Sequence, residues 1–102
     1  MRPIHAAKLD KTRPVLILSR ELVRPHLTQI TVAPITTRSR GLSTEVHVGT
    51  ANGLERDSVI NCDNIVTVPM SVIGRLLGYL LPEQEPQLTE AILSAFDLEQ
   101  GH

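Results

Sequence analysis

The sequence predicts a small, mainly β protein in which a barrel-like sheet of short strands carries one α-helix near the end of the chain. Short runs rich in β-branched residues recur along most of the 102 residues and alternate with turn signals, a pattern typical of a small barrel rather than of βαβ units. Apolar residues recur at helical spacing only in the last part of the chain. A single domain of this length holds a core of modest size.

The first third of the chain contains three candidate strands, at residues 4–9, 14–18 and 29–35. Pro14 suits the beginning of its strand, where a missing N–H costs least. Pro34 lies inside the third run, which predicts an edge strand or a bulge at that point. Between the second and third runs, residues 20–27 contain a proline and predict a connecting loop.

The rest of the chain predicts shorter elements. These are a basic loop at 36–42, a strand with one wet face at 45–48, a turn at 51–53, strands at 58–62 and 65–68, a helical turn at 69–73, and a last strand at 75–80. A terminal helix of about three or four turns is predicted because apolar side chains recur at helical spacing. Its stripe is formed by Leu88, Ile92, Leu93, Ala95 and Phe96.

Composition and charge limit the partners that the protein can have. Tyr79 and Phe96 are the only aromatic residues, so the core must be aliphatic and no aromatic platform exists for stacking bases. The net charge of −1 argues against a constitutive nucleic-acid binder. However, residues 1–40 carry eight basic and two acidic side chains, whereas residues 41–102 carry two and nine. This asymmetry predicts one basic and one acidic face.

The single cysteine excludes an internal disulfide framework. Cys62 follows an apolar run and is predicted to pack as a small hydrophobic residue. None of the histidines has metal-ligand spacing with another histidine, a cysteine or an acid, so we expect no metal and no cofactor. Without a signal peptide or a membrane-length apolar run, a cytoplasmic protein that does not contact membranes is expected.

Two polar residues at neighbouring strand ends are candidates for chemistry. Arg13 enters the second strand and Thr36 leaves the third. A guanidinium keeps its charge and presents a planar fork, which suits a phosphodiester whose negative charge grows during reaction. Simpler interpretations are a salt bridge of Arg13 with Asp10 and a local backbone bond of the Thr36 hydroxyl, and the residues alone favour these. His26 and His47 are the natural rivals as proton acceptors.

Four segments in the same order resemble the MazF/PemK/Kid family of toxin endoribonucleases. They read TRPVLIL at 12–18, VAPITT at 32–37, GLERDSVI at 53–60, and CDN at 62–64 followed by Thr67 and Val68. The closing GRLLGYL at 74–80 and the helix after it are similar as well. The resemblance covers nearly the whole chain, and residues 1–102 are therefore interpreted as one domain of this family.

The resemblance implies an SH3-like barrel of the CcdB/PemK type that works as a homodimer. It implies a toxin that cleaves single-stranded RNA at a short sequence without a metal, by attack of the 2′-OH, and that a cognate antitoxin neutralises. Carried over residue by residue, the catalytic positions fall on Arg13 and Thr36. The positions that hold RNA fall on Thr37, Arg38, Asp63 and Asn64.

The sequence differs from the family at two places, and other functions on the same scaffold are alternatives. The family's long loop before the Arg-Pro strand is reduced here to residues 9–12, and Asn61 stands where some members have arginine. A non-catalytic inhibitor on the same scaffold, such as the CcdB gyrase poisons, is the alternative function. Those proteins rely on a C-terminal Trp-Gly-Ile, whereas this chain ends Leu-Glu-Gln-Gly-His and has no tryptophan. A catalytically inactive binding module is a third interpretation, consistent with the short loop.

Overall fold

The computed structural model describes residues 1–99, so that Gln100, Gly101 and His102 lie outside it. Its described part is mainly β with a terminal helix, as predicted. The elements are β1 (Pro3–Lys8), β2 (Thr12–Ile17), β3 (Gln29–Thr36), β4 (Glu45–Val48), β5 (Ser58–Asn61), β6 (Val66–Pro69), β7 (Ile73–Tyr79) and α1 (Glu85–Ala95). The strands form one curled antiparallel sheet in the order β4-β5-β3-β2-β1-β7, and β6 also pairs with β3.

Strand β3 lies at the centre of this sheet. One side pairs with β2, while the other pairs first with β6, up to Val32, and then with β5, from Ile35 onward. Pro34 falls between these two stretches, and its register with β2 is uninterrupted. The prediction of an edge strand or a bulge at Pro34 was therefore wrong. A residue without an N–H fits there because the hydrogen-bonding partner on one side changes at that point.

The core is aliphatic and lies on both faces of β2 and β3. Leu16 belongs to a cluster that α1 covers with Leu88 and Ala91, whereas Val15 and Ile17 face a second cluster around Val32 and Val68. Burial on both faces explains why these strands read as nearly continuous apolar runs instead of alternating ones. Strand β4 does alternate, with Val46 and Val48 buried and His47 exposed, as predicted.

The two aromatic side chains are both outside the core. Tyr79 is 39 % exposed and Phe96 is 56 % exposed. The placement of Phe96 on the packing stripe of the helix was wrong, because α1 ends at Ala95 and the chain then turns away. The Leu98 N–H donates to the Leu93 carbonyl, and Asp97 takes a left-handed φ of 54°, which together form a Schellman-type end.

The connections are short and partly helical. Residues Leu9–Lys11 join β1 to β2, which is the short turn expected from the sequence. The predicted loop between β2 and β3 contains a 3₁₀ helix at Glu21–His26, and the predicted helical turn before β7 is a 3₁₀ turn at Met70–Val72. Further 3₁₀ turns lie at Thr50–Asn52, Cys62–Asn64 and Pro82–Gln84.

The buried side chain of Asn52 and the half-buried side chain of Gln84 join four parts of the chain. Asn52 is 1 % exposed, and its amide donates to the Tyr79 carbonyl and to Gln84 Oε1 at 2.9 and 2.7 Å. Its oxygen accepts from the Gly49 N–H, while Gln84 also accepts from Leu81 N–H and donates toward the His47 carbonyl. The network connects the end of β4, the 3₁₀ turn after it, the end of β7 and the entry to α1.

The backbones of Gly53 and β7 touch directly beside this network. Gly53 has a φ of +83°, and a Cβ added there would lie 2.0 Å from the Leu77 carbonyl oxygen. A Cβ on Gly78 would lie 2.1 Å from the carbonyl oxygen of Asn52. Only glycine allows this approach from both sides, and it holds the segment after Gly53 against β7.

Replacing Gly53 by alanine should destabilise the fold strongly. The left-handed backbone and the collision with the Leu77 carbonyl together cost about 3 kcal/mol or more. Gly41→Ala is the matched control, because Gly41 has a similar φ of +70° but nothing within 4 Å of an added Cβ; we expect it to lose only about 1 kcal/mol. Urea unfolding measures both variants, and equal losses would contradict the role given to the close contact.

Candidate active site

A cleft of about 360 Å³ opens where β2 begins and β3 ends. The start of β2, the end of β3, the segment 53–58 and strand β7 form its walls. Its charged lining residues are the three arginines Arg13, Arg56 and Arg75 and one acid, Glu55. Hydroxyl groups come from Thr12, Thr37 and Ser58. Cations and hydroxyls in a concave site are the groups that bind phosphate oxygens.

Arg13 is held at the entrance of β2 by the short turn before it. Its Nη2 lies 3.1 Å from Oδ2 of Asp10, so the simpler interpretation of Arg13 as an ion-pair partner is also observed. The side chain is only 23 % exposed, and its Nε–H is buried without an acceptor among residues 1–99. A guanidinium has five N–H donors. The pair with Asp10 therefore fixes the fork and leaves donors for a ligand.

Thr36 is the last residue of strand β3, and Thr37 follows it and lines the same cleft as Arg13. Val15 pairs with Pro34, and continuing this antiparallel register by two residues brings Arg13 level with Thr36. Thr36 is half-buried, and its Oγ1 accepts the Arg38 N–H at 3.2 Å, the local backbone bond considered from the sequence. Thr37 is exposed and lines the cleft, whereas Thr36 is not among the lining residues.

The loop after β3 is organised by one carboxylate. Glu45 accepts the N–H groups of Arg40 and Leu42 at 3.0 to 3.1 Å and the Ser39 hydroxyl at 3.3 Å. Burial opposes ionisation of Glu45, but the hydrogen bonds from Arg40, Leu42 and Ser39 outweigh it, and its pKa lies below the ordinary value. Arg38 is exposed on this loop, beside the cleft residue Thr37.

Asp63 and Asn64 lie away from the cleft. Both follow the far end of β5, whose first residue, Ser58, lines the cleft, so roughly 10 Å of strand separates them from it. Asp63 accepts the Thr44 hydroxyl at 2.7 Å, and its N–H donates to Asn61. Within one chain the structure does not bring these two residues together with Arg13.

The cysteine and the histidines do not contribute to the cleft. Cys62 is 1 % exposed, and burial together with the charge of Asp63 raises the pKa of its thiol to about 11. It therefore stays neutral at physiological pH, in agreement with the predicted packing role. Of the three described histidines, His47 and His26 are exposed elsewhere, and Nδ1 of His5 lies 2.9 Å from the Gly74 carbonyl oxygen.

Sequence reasoning missed Arg56, Arg75 and Glu55 as members of this site. The two arginines are the only basic residues in the acidic part of the chain, and this isolation was the available signal. Among residues 1–99, the ion pairs are Arg2 with Glu85 and Arg13 with Asp10. Arg56 and Arg75 therefore add two unpaired positive charges to the cleft.

Residues 1–99 contain neither a membrane-spanning helix nor a cluster of metal-binding side chains. No helix there is long and apolar enough to cross a membrane. No group of three or more histidine, cysteine, aspartate or glutamate side chains there is placed to hold a metal ion.

Comparison with known proteins identifies a family and several relatives. Residues 2–96 match the family model of the PemK-like, MazF-like toxins of type II toxin–antitoxin systems. The chain is 65 % identical over 99 residues to the endoribonuclease MazF3 of Mycobacterium tuberculosis, covering 97 % of this chain and 96 % of that protein. It is 35 % identical over 86 residues to the probable endoribonuclease MazF5 of the same organism, covering 83 % and 79 %.

Solved structures share the fold. The M. tuberculosis toxin MazF-mt6 superimposes with a TM-score of 0.95 at 64 % identity, covering 97 % of this chain and all of that one. A mycobacterial endoribonuclease in complex with its cognate antitoxin gives a TM-score of 0.85 at 25 % identity, covering 97 % and 95 %.

Glu45→Gln should loosen the loop that carries Arg38 and should do so in a pH-dependent way. Because the folded-state pKa of Glu45 is depressed, its charge stabilises the fold above the ordinary glutamate pKa, and this contribution disappears as the pH falls through the folded-state value. We expect the variant to lose about 1 kcal/mol at pH 7 and the difference from wild type to shrink on acidification. Urea unfolding from pH 7 to pH 3 tests this; a difference that grows toward low pH would contradict it.

Proposed function

The chain belongs to the PemK-like, MazF-like toxin family of type II toxin–antitoxin systems, and on this basis we propose that it is a toxin endoribonuclease that cuts single-stranded RNA at a short sequence. The observation that best supports this proposal is the cleft, where three guanidinium groups meet three hydroxyl groups. Such a site suits the anionic backbone of RNA. An RNA toxin of this kind acts in the cytoplasm, where its substrate and its antitoxin are.

The reaction that fits the site is attack by the RNA's own 2′-OH. The 2′-oxygen bonds to phosphorus, the bond to the 5′-oxygen breaks, and the products are a 2′,3′-cyclic phosphate and a 5′-hydroxyl. The protein must accept the proton of the 2′-OH, stabilise the negative phosphorane and protonate the leaving oxygen. No metal is required for these three tasks.

In this proposal Arg13 stabilises the phosphorane. Its guanidinium lines the cleft, stays charged, and is oriented by Asp10 with donors to spare. Continuing the β2–β3 register brings Thr36 level with Arg13, and its oxygen accepts the Arg38 N–H, which leaves its O–H proton to donate to a phosphate oxygen at the edge of the cleft. Thr37 and Arg38 follow on the same loop and hold the adjacent backbone of the strand.

A carboxylate is the proton acceptor that suits this arrangement. Asp10 is paired with Arg13, and Glu55 is the carboxylate among the lining residues of the cleft. His26 and His47, the rivals named from the sequence, line neither this wall nor its rim. We assign the role of proton acceptor to these two carboxylates. The pH dependence of kcat in Asp10→Asn and Glu55→Gln shows which of the two accepts the proton.

The family indicates the protein partners, and the distance of Asp63 and Asn64 from the cleft indicates where else the RNA is contacted. A cognate antitoxin neutralises the toxin by covering the RNA surface, and the active form is a homodimer. Asp63 and Asn64 lie beyond the far end of β5, so we propose that they contact nucleotides away from the cut.

The first test is cleavage of a long, weakly structured RNA in EDTA with mapping of the fragment ends. Wild type should give discrete cuts at one short motif with 5′-hydroxyl ends. Arg13→Ala should lower kcat at least 100-fold, as expected for loss of one anion-stabilising donor, and Thr36→Val should lower it at least 10-fold. His47→Ala, which alters an exposed side chain outside the cleft, is the control and should keep full activity.

Two outcomes of this experiment would change the interpretation. Cleavage that survives in folded Arg13→Ala protein would contradict the assigned role of Arg13. No cleavage of a broad RNA panel by folded wild type would favour the non-catalytic inhibitor on the same scaffold. Thr37→Val compared with Thr36→Val shows which of the two hydroxyls acts in the chemical step.

Arg56 and Arg75 should act mainly in binding. They are exposed cations that the segment 53–58 and strand β7 contribute to the lining of the cleft, and they have no carboxylate partner within residues 1–99. The double variant Arg56→Gln, Arg75→Gln should raise KM about 10-fold with little change in kcat, because uniform contacts to phosphates affect binding. Steady-state kinetics on a short RNA containing the mapped site measures this, and a fall in kcat with unchanged KM would overturn it.

A further inference from the structure

A second arginine cluster lies at the opposite end of the β1–β2 hairpin from the cleft. Arg2 precedes β1, and Arg20 and Arg24 belong to the connection between β2 and β3. These three arginines line a pocket of about 220 Å³ together with Met1, Glu21 and Glu85. Nothing in the proposed cleavage site uses this pocket, which shares no lining residue with the cleft.

Two of the three guanidinium groups are held in place by main-chain carbonyls. Nε of Arg24 donates to the Ser19 carbonyl at 2.7 Å, and Nη1 of Arg2 donates to the Leu18 carbonyl at 3.0 Å. The chain that supplies these carbonyls is itself fixed, since Thr31 bonds to both Leu18 and Ser19. A cation fixed in this way loses less conformational freedom when it binds an anion.

The pocket remains positive after its acids are counted. Glu85 lies 3.2 Å from Nε of Arg2, although that N–H makes no aligned hydrogen bond with any described residue. Glu21 forms no ion pair within residues 1–99, and Arg20 is exposed and unpaired there. Three guanidinium groups thus share the pocket with two carboxylates.

We propose that this pocket is a second RNA contact, which binds a backbone phosphate several nucleotides from the cut. The inference rests on the proposed function for the identity of the strand. Planar forks match phosphate oxygens, and an aromatic platform for bases is absent from the pocket lining. Five residues of strand separate Arg13 from Leu18, the residue whose carbonyl holds Arg2. The two clusters therefore lie roughly 17 Å apart along the hairpin.

This contact explains how a protein of net charge −1 can hold RNA. Nine of the eleven acidic side chains lie in residues 41–102. The three arginines of the pocket all come from residues 1–40, whereas the cleft combines Arg13 with Arg56 and Arg75. Backbone phosphates anchored at two points fix the position of the strand, which leaves sequence selection to contacts near the cut. A contact of this kind changes affinity and salt dependence without changing the chemical step.

The experiment uses a probe that the protein cannot cut. A 2′-O-methyl oligouridine of about twelve nucleotides lacks the 2′-OH nucleophile, and binding is followed by the backbone amide signals of isotope-labelled protein. We expect saturable shifts at residues 20–24 as well as around the cleft. Inorganic phosphate serves as a second probe, and a 2′-O-methyl trinucleotide, which is too short to reach from one cluster to the other, serves as a third.

Charge variants test whether the pocket itself binds. Arg20→Gln should weaken binding of the long oligonucleotide about threefold and reduce the magnitude of the salt slope by about 0.7, while binding of the trinucleotide in the cleft stays unchanged. Glu21→Gln should strengthen binding of the long probe. Lys8→Gln removes the same charge as Arg20→Gln from an exposed position outside the pocket and is the matched control.

Three outcomes would overturn the second contact. They are no shift at residues 20–24, equal losses in Lys8→Gln and Arg20→Gln, and shifts there with inorganic phosphate but not with the oligonucleotide. In each case the amide signals around the cleft still test the proposed function, because they are measured separately from the signals of residues 20–24. If the protein binds at residues 20–24 but cuts no RNA, the second contact stands and the proposed cleavage fails.

Discussion

The contact on which the candidate site depends is the meeting of two backbones at Gly53 and Gly78. There is no room for a Cβ on either side, and Gly53 also needs a left-handed backbone. The amide of Asn52 lies one residue before Gly53 and fixes this contact, because every hydrogen-bonding group of that amide is satisfied by the chain. A buried polar network that is fully satisfied holds a single arrangement of the segments it joins.

The contact between Gly53 and Gly78 determines which segments line the cleft. The segment after Gly53 lines the same cleft as the start of β2, so Glu55 and Arg56 share it with Arg13. Strand β7, held from the other side of the glycine contact, adds Arg75. Positive charge from the acidic part of the chain is thereby brought to the basic part. The charge asymmetry along the sequence therefore does not describe the cleft, where two of the three arginines come from residues 41–102.

The sequence predicted much of the fold because local patterns determine it. The strands at 4–9, 14–18 and 45–48 and the terminal helix follow from hydrophobic periodicity, which acts over a few residues. Pro34 and Phe96 were misplaced for a different reason. The structure tolerates that proline because two strands share one side of β3, and the helix ends before Phe96. Arg56 and Arg75 join the site through the glycine contact and the pairing of β7 with β1, which are long-range contacts that local patterns do not reveal.

Arg13 illustrates why a simple and a functional interpretation of one residue need not compete. Its ion pair with Asp10 was the simpler reading of the sequence, and it is present at 3.1 Å. Because Asp10 is largely exposed, the pair contributes little to stability. The ion pair instead orients the guanidinium of Arg13, because one N–H binds Asp10 and the remaining donors are held in a fixed direction. The short turn at Leu9–Lys11 therefore does for Arg13 what main-chain carbonyls do for Arg2 and Arg24: it arranges a cation before any ligand arrives.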